Sequence, residues 1–278
     1  MKAVVVVVCV LGLVAGAEVD LRYHQRVGVP AAAAIQRLES MRIVGGLSSY
    51  LGEHPFLAGL VVTLTDDQTS VCGGSLLSHT HVVTAAQCWW DGQSQASYIL
   101  VVLGSIKLFS GGTRKYASVT THPDFNPNNL HNDIAMLRIS YVSYSNYIKP
   151  IPLPYGLNGT SFVDRTAEAI GFGRTSDTSP IVNSQSLRDV YVKVISNEEC
   201  AASYGALVTR DVMCTSGARG RGPCGGDSGG PLIIRYYSGS SDLLIGLVSF
   251  GATNGCEAGH PSGYTRVTSY MDWIDSFL

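Results

Sequence analysis

The chain has 278 residues, enough for one large or two small domains with a sizeable core. Its formal net charge is −2, and from Ile43 onward 14 Lys+Arg face 18 Asp+Glu with no basic run. That excludes the cationic footprint which duplex binding requires.

The N-terminus reads MKAVVVVVCVLGLVAGA: Lys2, an apolar run from Ala3 to Val14, then Ala15-Gly16-Ala17. That basic, apolar and small-residue order is the pattern of a secretory signal peptide, residues 1–17, cut after Ala17. As a membrane anchor the run is too short, and no later stretch is long and apolar enough to span a bilayer. The expectation is a secreted chain with no membrane segment.

Of the seven cysteines, Cys9 leaves with the leader. Cys72, Cys88, Cys200, Cys214, Cys224 and Cys256 remain, an even set that reads most simply as three disulfides in an exported protein. No CxxC pair or His-rich cluster accompanies them, so no metal and no cofactor are expected. Spacing alone leaves about fifteen pairings open. Arginines outnumber lysines, 14 to 5, which fits either an alkaline working environment or drift.

Short β-rich runs then recur between turn clusters: 58–64, 98–104, 134–139, 189–195, 231–236 and 243–250. With 31 glycines mostly between them, they predict an all-β fold, a closed antiparallel barrel or a sandwich. Ser196 followed by Glu199 is a capping box that opens a short helix near Cys200. Tyr270, Trp273, Ile274 and Phe277 fall at i, i+3, i+4 and i+7, predicting a terminal helix over about 268–278. Asn158-Gly159-Thr160 is a glycosylation sequon in a loop.

Chemistry concentrates in residues 222–231, GPCGGDSGGP. Glycines flanking Ser228 permit a tight turn that exposes its hydroxyl and points two N–H groups, those of Gly226 and Ser228, at one spot. A nucleophile beside an oxyanion hole needs that arrangement. A lone GxSxG is weak, but the longer string is specific, and on it the chain resembles the chymotrypsin/trypsin family of serine proteases.

The resemblance runs from Ile43 to Leu278. It implies two six-stranded antiparallel barrels, about 43–150 and 151–265, followed by the terminal helix. Arg42-Ile43-Val44-Gly45-Gly46 is similar to the family's activation site, which makes residues 18–42 a propeptide removed by a trypsin-like protease. The freed Ile43 ammonium would then pair with Asp227, a buried pairing that works as a switch. His131-Asn132-Asp133-Ile134-Ala135 is similar to the segment of the triad aspartate, Asp133. Ser249-Phe250-Gly251 is similar to the strand that pairs with a substrate backbone. By the same resemblance the bridges are Cys72–Cys88, Cys200–Cys214 and Cys224–Cys256. Gly222 falls at the floor of the primary pocket, and Gly251 and Ser262 on its walls. With no carboxylate there, the pocket looks chymotrypsin-like and takes bulky apolar or aromatic side chains, with Ser262 shortening it. A monomer is implied, with protein or peptide ligands and protease inhibitors as partners. The overall character resembles digestive chymotrypsins of insect larvae, in the gut lumen.

One residue departs from that pattern. In the frame Val82-Val83-Thr84-Ala85-Ala86-Gln87-Cys88, Gln87 stands where the family has its general-base histidine. A neutral amide can hold a hydrogen bond but cannot accept a proton near neutrality. His81, six residues earlier on the same predicted strand, lies roughly 20 Å away if extended. His131 sits two residues before Asp133, and His54, His122 and His260 match no site position. Two explanations remain. One base separates His and Gln codons, so a variant can hide an active chymotrypsin-like endopeptidase. The residue as it stands favours a homologue that keeps its cleft and loses its turnover.

Overall fold

The computed structural model describes residues 16–40, 50–173, 187–235 and 242–278. Arg42, Ile43 and most of the signal-peptide stretch lie outside the described residues.

Twelve strands make two closed antiparallel barrels rather than a sandwich. The first comprises β1 (Leu57–Leu64), β2 (Thr69–Leu76), β3 (His81–Thr84), β4 (Ala96–Leu103), β5 (Thr113–Thr121) and β6 (Ala135–Ile139). They close in the order β1-β2-β3-β6-β5-β4. The second comprises β7 (Thr166–Gly171), β8 (Arg188–Ile195), β9 (Val212–Thr215), β10 (Pro231–Arg235), β11 (Asp242–Phe250) and β12 (Ser262–Arg266). Their order is β10-β11-β12-β9-β8-β7.

Side-chain alternation explains the closure. In β4, Ile99, Val101 and Leu103 point inward and are fully or almost fully buried, while Tyr98 is exposed. In β8, Val192 and Val194 are buried and Tyr191 is exposed. Each apolar side chain taken fully inside contributes about 1.5–3 kcal/mol. The outward-facing residues keep the other surface wet. A third cluster lies between the barrels, joining Val71, Val83 and Met136 to Ile170, Phe172, Ile233 and Leu247.

The barrels also meet through main chain. The Gly73 N–H of β2 donates to the Ser228 carbonyl at 2.8 Å. A Cβ on Gly73 would sit 2.7 Å from the Gly230 Cα, so only glycine allows this approach.

The N-cap half of the box forms as expected. The Glu199 N–H donates to Ser196 Oγ at 3.1 Å, opening α2 (Asn197–Tyr204). The terminal helix is shorter than the periodicity implies: α3 covers Met271–Asp275, preceded by a tight turn at Val267–Ser269. Its end winds with shorter-range bonds, Phe277 N–H to Ile274 O and Leu278 N–H to Asp275 O, as chain ends do. The apolar face is as read, with Tyr270 and Ile274 in the core and Trp273 and Phe277 packed beside it.

One element went unforeseen. Residues 16–40 run over the body of the protein and wind into a turn of π-helix, His24–Gly28, continuing as α1 (Val29–Ser40). Ala31, Ala32 and Ile35 of α1 are buried in the cluster between the barrels.

Candidate active-site cleft

A cleft of about 410 Å³ brings together Gln87, Ser228 and the segment Val248–Thr253, with Pro223, Cys224, Gly225 and Ser262 along one side. The disulfides are Cys72–Cys88, Cys200–Cys214 and Cys224–Cys256, with sulfur separations of 2.01, 1.99 and 2.01 Å, and both cysteines of the last line the cleft.

Gln87 does not continue β3, as the sequence spacing implied. That strand ends at Thr84, and Gln87 sits in the tight helical turn Ala86–Cys88, almost fully buried. Its main-chain N–H donates to Asp133 Oδ1 at 2.9 Å and its side-chain Nε2 to Asp133 Oδ2 at 2.9 Å. Nε2 also donates to the Ser249 carbonyl. Two acceptors on one side fix the amide's orientation: the NH₂ faces Asp133 and Ser249, and the oxygen faces away.

Asp133 is buried beneath this pair. Ser249 Oγ donates to its Oδ2 at 2.7 Å, and Thr265 Oγ1 donates to its main-chain carbonyl at 2.7 Å. Burial pushes its carboxyl up to about 6 against the lowering effect of the Ser249 and Gln87 hydrogen bonds. A register shift in β11 between Val248 and Phe250 turns Ser249 toward it.

Ser228 is largely buried at the cleft. The turn around it is held by main chain: Gly229 N–H to Val248 O at 2.8 Å and Gly230 N–H to Asp227 O at 2.8 Å. Gly226 and Gly229 have φ of +105° and +79°, which side chains rarely adopt. The Asp227 carboxylate accepts from Gly173 N–H at 2.7 Å and Cys224 N–H at 2.9 Å, and burial raises it to about 6. It faces a second cavity of about 210 Å³ lined by Gly171, Gly173, Gly222 and Pro223.

Gly251 and Ser262 line the main cleft, whereas Gly222 lines the second cavity. The two cavities adjoin there, since a Cβ on Gly222 would lie 2.8 Å from Ser262 Oγ. The Phe250 ring turns away, packing edge-on against Tyr204 at 5.2 Å. His81 is engaged by Ser78 Oγ at 3.2 Å and Thr80 Oγ1 at 3.1 Å, away from the cleft.

The residues that sequence reasoning missed come from the N-terminal segment. Val19, Asp20, Tyr23, Arg26, Val27 and Pro30 all line the cleft. The buried Tyr23 hydroxyl donates to Val71 O at 2.6 Å within hydrogen-bonding reach of Ser228, and burial lifts its pKa well above the usual tyrosine range. Thr253 N–H donates to Glu18 O at 2.8 Å, so the segment is tied to the far wall. His24 is buried with Nδ1 2.8 Å from Ser70 Oγ, and its main-chain N–H donates to Asp91 Oδ2 at 2.8 Å. Burial lowers its pKa, holding the ring neutral. The only signal in the sequence was the apolar spacing of Val19, Tyr23, Val27 and Pro30.

Comparison with known proteins bears on this geometry. The family model described as Trypsin matches residues 43–274. The chain is similar to a collagenase of Hypoderma lineatum, 39% identical over 87% of this chain and 89% of that protein. It is also similar to brachyurin of Leptuca pugilator, 38% identical over 84% of this chain and 97% of that protein. The solved structure of HL collagenase superposes with a TM-score of 0.75 at 37% identity, covering 84% of this chain and 98% of that one. With twelve strands in two barrels and matches of this extent, the chain belongs to the trypsin family of chymotrypsin-like serine proteases.

Proposed function

We propose that this is a secreted, zymogen-type member of the family whose cleft binds peptide or protein strands but turns them over poorly or not at all. Ser228 is the nucleophile, Asp133 the orienting acid, and the N–H groups of Gly226 and Ser228 the oxyanion hole. Gln87 occupies the general-base position. One observation carries this reading: both N–H bonds of the Gln87 amide are spent on Asp133 and Ser249. The remaining amide oxygen can accept a hydrogen bond from Ser228 but cannot take its proton. In subtilisin, loss of the histidine costs on the order of a million-fold in turnover. The oxyanion hole and binding alone retain about 10³–10⁴ over water.

The uncut chain holds itself shut. Tyr23 covers Ser228, and the Glu18 carbonyl takes the N–H of Thr253 just beyond the segment that would receive a ligand strand. Cleavage after Arg42 frees this segment and gives Ile43 an ammonium to pair with Asp227, beside the second cavity. Peptide strands then dock along Ser249–Gly251, with bulky apolar side chains entering between Gly251 and Ser262. The relatives named collagenase and brachyurin fit a ligand of extended protein chain.

The test is kinetic. After trypsin cleavage, Gln87→His should raise kcat/KM on an aromatic peptide substrate by about 10³-fold or more, and adding Ser228→Ala should abolish the gain. Strong turnover by the parent chain, lost with Ser228→Ala, would overturn the inactive reading.

A further inference from the structure

Away from the cleft, His54 has no hydrogen-bond partner at either ring nitrogen, although its side chain is only 5% exposed. Its Nε2 lies 3.9 Å from Glu168 Oε1 and 3.9 Å from Asp189 Oδ1. Glu53 completes the group, with a donor atom from each of Glu53, His54 and Asp189 within 4.8 Å of the others.

The fold builds this convergence from three places. Glu53 and His54 precede β1 of the first barrel, whereas Glu168 and Asp189 belong to β7 and β8 of the second. In the β7–β8 register Glu168 faces Tyr191 and Ile170 faces Asp189, so the two carboxylates are diagonal neighbours on one face. The nearby guanidinium of Arg235 is engaged by Asp242 at 3.4 Å.

The three carboxylates converge on a buried imidazole whose two ring nitrogens have no hydrogen-bond partner, a donor set of N and O atoms turned toward one place. The chemistry that satisfies the whole set is a cation.

We propose that Glu53, His54, Glu168 and Asp189 form a Zn²⁺ site that clips the lead-in of the first barrel to the wall of the second. One imidazole and three carboxylates suit zinc, which takes four N and O ligands at about 2.0–2.2 Å. Tetrahedral ligand atoms are then about 3.3 Å apart, so the 3.9 Å separations must close by about half an ångström and those within the Glu53, His54 and Asp189 group, up to 4.8 Å, by up to about 1.5 Å. Calcium prefers six to eight oxygens and gains little from an imidazole. The ligands come from three places far apart in sequence, Glu53-His54, Glu168 and Asp189, and share no motif, which is why no metal was expected from spacing.

The experiment titrates Zn²⁺ into the full, metal-stripped chain by calorimetry at neutral pH and follows Tm. One ion should bind, and at about 100 times Kd the Tm should rise by about 5 °C or more. Asp189→Asn and Glu53→Gln, both at exposed residues where folding is not at stake, should each weaken binding by about tenfold or more. Loss in both variants supports the site. Absence of one-to-one binding, affinity unchanged in the two variants, or Ca²⁺ binding as tightly as Zn²⁺ would each overturn it.

Discussion

Gln87 grips Asp133 with main chain and side chain at once, both at 2.9 Å, and this double contact leaves the carboxylate no exposed edge. The acid is therefore sealed beneath a neutral amide, and its ionisation is opposed by burial.

The first prediction follows from that sealing. The folded-state pKa of Asp133, about 6, lies above its ordinary value of 3.8. A raised carboxyl binds its proton more tightly in the folded state, so its stabilisation is fully present below pH 3.8 and fades as pH climbs through 6. The difference of about two pH units corresponds to roughly 3 kcal/mol at most. Asp227 is shifted in the same direction and adds to the slope. Tm of the parent should fall relative to Asp133→Asn between pH 4 and pH 7. Parallel profiles for the two proteins would contradict this account.

A second prediction concerns the segment over the cleft. Tyr23 is buried, and truncating a buried aromatic typically costs about 3–5 kcal/mol. In the uncut chain, Tyr23→Ala should loosen residues 16–40 and raise affinity for a protein protease inhibitor by about tenfold or more. Surface plasmon resonance on uncut parent and variant reads this directly. Equal affinities would show that the segment does not guard the cleft.

Gly229 supplies the third. Its φ is +79°, and an added Cβ would lie 2.1 Å from Thr84 Oγ1 and 2.6 Å from the Gly73 carbonyl. Gly229→Ala thus incurs backbone strain and a clash between barrels, about 3 kcal/mol or more together. Urea unfolding should show the midpoint falling steeply. A midpoint within error of the parent's would mean that the turn around Ser228 is softer than its contacts imply.

Some of this was legible in the residues and some was not. DVYVKVI announced β8 because its inward and outward positions differ so sharply in character. Ser196 and Glu199 marked the start of α2 because a cap is a local interaction. By contrast β5, TRKYASVTT, alternates only between half-buried and exposed positions, so no apolar period betrays it. The resemblance brought Gln87, Asp133 and Ser228 into one site, but not the spending of both amide protons, which depends on where Ser249 is turned. The capping of the cleft by Tyr23, and the gathering of His54 with Glu168 and Asp189, are contacts between distant parts of the chain. No local pattern encodes them.

The hydrogen bond from Gly73 of the first barrel to the carbonyl of Ser228 in the second has a consequence for how such a protein changes over time. The shape of the reactive turn is written in main-chain atoms and in glycines that nothing larger can replace. Position 87, where we propose the proton carrier is missing, is by contrast a single side chain. On the proposed reading, turnover would be lost or regained at position 87 while the turn around Ser228 and the cleft walls stay where they are. In such a scaffold, the proposed loss of chemistry would leave the architecture of recognition untouched.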